Sequence, residues 1–224
     1  MSAHTAYAPA PPDSAVLPRG LTRPGAASRR LLRLHVASRR LPIALALLAG
    51  CAAILRIALD SHWITQTGAG AVQIPLALET AAAAIIATTL HSPIGEGERA
   101  SGKWLPYLRL ASTISLTSVA AGVLAVAAAG VHLPGGNEAI VRNLAGLTGI
   151  GLLAANAFGG QLAWTGPTAY GVIAQYALTA AWTTPWIWPA RPADDLGAAL
   201  YAALTFSAGI LVATTRGARE TARS

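Results

Sequence analysis

Long apolar runs fill most of the chain between residues 41 and 215, and they decide what it can fold into. A helix in a water-soluble core rarely needs more than about 14 apolar residues in a row, whereas a bilayer crossing needs about 20. Six runs reach or approach that length: residues 41–59, 72–90, 110–131, 144–163, 168–182 and 196–215, the fifth being the shortest. In hydrocarbon each backbone N–H and C=O must find its partner within the chain, so such runs become helices. The expected fold is all-α, a polytopic transmembrane helical bundle of six spans. Only 11% of the residues are charged, about half the usual share, and a bundle within 224 residues leaves little for a soluble catalytic domain.

Charge placement sets the expected orientation. The net charge of +7 raises nucleic acid as a partner, but the positions of the basic residues argue against it. Arg19, Arg23, Arg29, Arg30, Arg33, Arg39 and Arg40 all precede the first span. Basic residues crowded beside a span mark a cytoplasmic flank facing anionic lipid. With the N-terminus inside, thirteen of the sixteen basic residues fall in cytoplasmic segments, including Arg99, Lys103, Arg109 and the arginines after residue 215. Arg142 and Arg191 then lie in outer loops, and Arg56 falls inside a span. An even number of spans returns the C-terminus to the cytoplasm. All six tryptophans sit at or just beyond span ends, where indoles prefer the interface. The cell membrane, with an anionic inner leaflet, is the expected location.

The expected domains are a basic cytoplasmic tail over 1–40, the bundle over 41–215 and a second basic tail over 216–224. Residues 1–25, rich in Ala and Pro, read as disordered. Residues 26–40 alternate arginines with leucines and read either as a solvated tail or as an amphipathic helix on the inner leaflet. The outer loops, 60–71, 132–142 and 183–195, are short, and the last carries Pro-Trp-Ile-Trp-Pro. The spans do not divide into two matching halves, so an inverted-repeat transporter is not expected.

Few motifs carry chemistry. Gly97 to Lys103 matches most of a phosphate-binding loop, but Trp104 stands where the magnesium-binding hydroxyl belongs. The match also lies between two spans rather than between a strand and a helix, so it reads as coincidence. Leu48-Ala-Gly-Cys51 looks like a lipoprotein cleavage box, yet further spans follow rather than a soluble domain. Cys51 is the sole cysteine, which excludes an intrachain disulfide. The histidines lack metal-ligand spacing, and nucleophile motifs and paired acids within a span are missing. Neither an enzyme nor a bound cofactor or metal is expected.

Two ionisable residues fall inside spans: Arg56 near the outer end of the first and Glu79 near the middle of the second. A lone charge there costs roughly 2.5–3.5 kcal/mol on insertion scales, so such groups pair or face a polar path. The two spans are antiparallel across a short loop, which predicts an Arg56–Glu79 pair. That pair either clamps the helices together or belongs to a path, which Asn156, Gln161 and Gln175 would continue. Asn143 and five glycines of the fourth span read as packing glue, since small residues admit close contacts that amides then bridge, with a polar stripe facing a path as the alternative. Ser112, Thr113 and Thr117 are expected to bond their own helix carbonyls.

Two stretches, HSPIGEGERASGKWLPYLRLAS (residues 91–112) and VRNLAGLTGIGLLAANAFGGQLAWTGPTAYG (residues 141–171), resemble six-span actinobacterial membrane proteins described as permease-like components of ABC transporters. The resemblance covers about a quarter of the chain and implies a permease-like subunit energised by a separate cytoplasmic ATPase. Glu96, Glu98, Arg99 and Lys103, in the longest cytoplasmic loop, are the expected contact for that partner. The competing expectation is a non-transporting accessory, anchoring or immunity protein that acts through helix contacts, alone or as an oligomer.

Overall fold

The computed structural model of the chain describes residues 41–61, 70–89, 105–131, 133, 135–182 and 184–215. These residues form helices and turns, with no strand among them. Six helices follow one another: α1 (Leu41–Asp60), α2 (Gly70–Thr89), α3 (Leu105–Ala127), α4 (Gly136–Phe158), α5 (Thr165–Thr179) and α6 (Leu196–Thr215). All but α5 are long and apolar enough to cross a membrane. α5 has 15 residues and is about 22 Å long, short of a hydrocarbon core of about 30 Å.

Their outward faces identify the solvent. Ile43, Leu47 and Ile54 on α1, Val172 and Tyr176 on α5, and Leu200, Leu204 and Leu211 on α6 are all exposed. α6 is strongly apolar, yet only 17% of its apolar window is buried. Soluble monomers rarely leave contiguous apolar patches of that kind in water, while lipid tails meet them at no cost. This is the body of a membrane protein.

α4 is the central element, two-thirds buried (67%), and it packs against α2, α5 and α6. A Cβ on Gly149 would lie 2.5 Å from the Thr205 carbonyl, and one on Gly209 would lie 2.6 Å from the Gly149 carbonyl. The two helices therefore cross with their backbones touching, which only glycine permits. α2 and α4 run in the same direction: Glu79 meets Asn143, and eight residues further along each helix Ala87 faces Gly151. α5 runs against them, since Gln175 reaches Gln73 while Gly171 faces Thr80 and Pro167 faces Gly151.

Helix bounds depart from expectation in three places, the third helix, expected over 110–131, spanning Leu105–Ala127. The fourth helix, expected over 144–163, begins at Gly136 and stops before Gly159, whose φ of 89° ends the helix. Its polar first turns lowered the local hydropathy and hid its start. The fifth, expected over 168–182, spans Thr165–Thr179. The 1–40 and 216–224 tails lie outside the described residues. So does the loop with Glu96, Glu98, Arg99 and Lys103, including the partial phosphate-loop match.

Candidate functional site

The polar centre of the bundle lies between α2 and α4. Glu79 is midway along α2, and Asn143 is in the second turn of α4; they are 3% and 2% exposed. The Asn143 Nδ2 donates to Glu79 Oε2 at 2.9 Å. Arg142, the neighbour of Asn143, is 8% exposed and turns toward the linker before α6. Its Nη1 donates to the Pro192 carbonyl at 2.6 Å and its Nη2 to the Arg191 carbonyl at 3.0 Å. Its Nε lies 3.4 Å from Asn143 Oδ1, a polar contact longer than an ordinary N–H···O bond. Together these groups form a chain: the carboxyl accepts from the amide, the amide faces the guanidinium, and the guanidinium donates to two linker carbonyls.

The linker is pinned from other sides as well. Tyr170 Oη donates to the Trp186 carbonyl at 2.6 Å, and the Tyr170 and Trp188 rings stack with centroids 4.5 Å apart. Trp188 lies against Gly146, where a Cβ would come within 2.5 Å of the indole. The indole N–H of Trp188 and the Thr148 hydroxyl are buried without hydrogen-bond partners. At the linker's end, Arg191 Nε donates to Asp195 Oδ2 at 2.7 Å, and the Ala198 amide donates to Asp195 Oδ1 at 3.0 Å. These two contacts, the amide first, hold the Asp195 carboxyl below its ordinary pKa. Beside Arg142, a groove of about 480 Å³ opens between α4 and α6, with Asn137, Glu138 and Val141 on one wall and alanines of α6 on the other.

The expected Arg56–Glu79 pair does not form. Arg56 Nε donates to Asp60 Oδ2 at 3.1 Å, one turn along its own helix, and its Nη1 to the Ala129 carbonyl at 3.0 Å. Both Arg56 and Asp60 are about half exposed. A local partner at i+4 and a carbonyl at the end of α3 satisfy the arginine, while α4 rather than α1 presents polar groups to Glu79. Arg142, expected in an outer loop, is instead in the second turn of α4 and buried. Gln175 donates to the Gln73 carbonyl at 2.6 Å and ties α5 to α2. Asn156 lies 13 residues along α4 from Asn143, about 20 Å at helical rise, and Gln161 is exposed beyond the helix end. The expected polar stripe is therefore not one continuous line. Ser112, Thr113 and Thr117 bond carbonyls of their own helix as expected.

Arg142, Tyr170 and Trp188 were missed as site residues. One signal was available: Gly135-Gly136 followed by Asn137 and Glu138 reads as a helix start with an acid in its first turn, which places Arg142 inside the helix. Among the described residues, no group of three or more His, Cys, Asp or Glu side chains is placed to hold a metal ion. The chain matches no known protein family, no curated protein and no solved structure.

Proposed function

We propose that this chain is a six-span plasma-membrane protein with both ends in the cytoplasm, acting as the permease-like subunit of an ABC-type transporter energised by a separate ATPase. The observation that carries the reading is the buried Glu79–Asn143–Arg142 chain inside a bundle with an apolar exterior. Ionisable groups are costly at bilayer depth, and those that persist there most often serve a substrate or ion path. The groove beside Arg142 gives that cluster a flank open to the surroundings. The stretch 141–171, one of the two that resemble permease-like proteins, includes Arg142, Asn143 and Tyr170. The direction of α5, opposed to α2 and α4, supports a sixth crossing that returns the chain to the end where α6 starts. The crowding of arginines before residue 41 supports a cytoplasmic N-terminus. The loop with Glu96, Glu98, Arg99 and Lys103 is the proposed ATPase contact.

One observation favours a second reading, a non-transporting accessory or anchoring protein. The cluster bonds join α2 to α4 and α4 to the linker before α6, as a clamp between helices would. Glu79→Gln separates the two. In a transporter the variant folds to normal yield and loses flux in vesicles reconstituted with the ATPase; in a clamp it lowers folded yield. If no ATPase copurifies in mild detergent and no nucleotide-dependent flux appears, the transporter reading fails.

A further inference from the structure

We infer that Arg142 is a latch that fastens the linker preceding α6 over the buried polar cluster, and that Glu79 sets whether the latch holds. This deepens the transport reading by naming how one end of the site opens, and it rests on that reading for its physiological meaning. The geometry has three parts. Arg142 is the side chain that joins the cluster to the linker, through two carbonyls in succession, Arg191 and Pro192. On its other side the guanidinium faces Asn143, which is anchored by Glu79. Asp194, Asp195 and Tyr170 act on it from the linker side, and Glu138, one turn earlier on α4, lines the groove beside it.

This arrangement sets up two competing pulls on one long side chain. The buried Glu79 carboxyl anchors Asn143, which holds the guanidinium on the bundle side, while Asp194, Asp195 and the interface draw it outward past the linker. A buried guanidinium that loses its inner polar partner moves toward the interface, as arginines near span ends do. Moving outward breaks its bonds to the Arg191 and Pro192 carbonyls and frees the linker. The Arg191 and Pro192 carbonyls follow directly on the turn Trp188–Ala190, so this end of the linker loosens first once Arg142 lets go. The Tyr170–Trp186 bond and the fit of Trp188 on Gly146 then act as the seat to which it returns.

The test needs neither the ATPase nor an assigned orientation. In a Cys51→Ala background, Ala190→Cys places a thiol on the half-buried side of the linker, and labelling by a water-soluble maleimide is timed in mild detergent. Arg142→Lys keeps the charge but cannot span two carbonyls, and Glu79→Leu removes the acceptor that anchors Asn143. Each is expected to speed labelling about tenfold or more, the scale expected when a charged hydrogen bond is lost. A control Ala129→Cys, exposed at the same end of the bundle, should react at its parent rate in both. If either variant elutes as aggregate, Asn143→Ala, which interrupts the connection while retaining both Glu79 and Arg142, takes its place. Parent-rate labelling at position 190 in any well-folded variant of this set overturns the latch. Faster labelling together with absent flux would leave the latch standing and remove only the transport reading.

Discussion

Among individual residues, the buried amide and the exposed ion pair are worth very different amounts. Asn143→Ala leaves the Glu79 carboxyl buried without its donor, at a cost of about 1–3 kcal/mol. Asp60→Ala breaks an ion pair that is half exposed on both sides, and such pairs contribute about 0–1 kcal/mol. Thermal unfolding in detergent should therefore show a clear loss for the first and little change for the second. Asp195 supplies a pH dependence. Its carboxyl is held below the ordinary carboxylate value by the Ala198 amide and by Arg191. The stabilisation is present in full above the unfolded pKa of about 3.9 and is lost as pH falls through the lower folded value. Acid should loosen the start of α6 first, seen as faster amide exchange at 196–199. Asp195→Asn should remove that dependence.

Close contacts between helices make opposite predictions for two glycines. Gly149→Ala drives a Cβ into the backbone of α6 at Thr205 and Phe206, and should lower stability by roughly 1–3 kcal/mol. Gly50 on α1 has nothing within 4 Å of its added Cβ, so Gly50→Ala should be neutral or stabilise by up to about 1 kcal/mol. Paired unfolding curves check both. The same contacts explain what the sequence made legible. α1 and α6 lie where hydropathy puts them, because their faces meet lipid and their sequences are apolar throughout. The start of α4 was hidden because Asn137, Glu138, Arg142 and Asn143 make it polar on average, although two of the four are buried by pairing. Glu79 was legible as a lone acid in an apolar run. Its partner was not, because partner choice depends on which helix packs beside α2 and how that helix is rotated. For Arg56 the local alternative, Asp60 at i+4, was readable and prevailed.

Taken whole, the described part of the molecule turns aliphatic side chains outward along α1, α5 and α6 and keeps Glu79, Arg142 and Asn143 buried inside. That inversion of the usual soluble pattern makes sense only if hydrocarbon surrounds it. On the transport reading, Glu79→Gln should abolish nucleotide-dependent flux in reconstituted vesicles while folded yield stays near normal. Embedding in a bilayer underlies every functional statement above, and alkaline carbonate extraction of membranes from cells expressing the full chain tests it most directly. The protein should stay in the membrane pellet after extraction and leave it only with detergent. Recovery of the folded chain in the detergent-free supernatant would contradict the account.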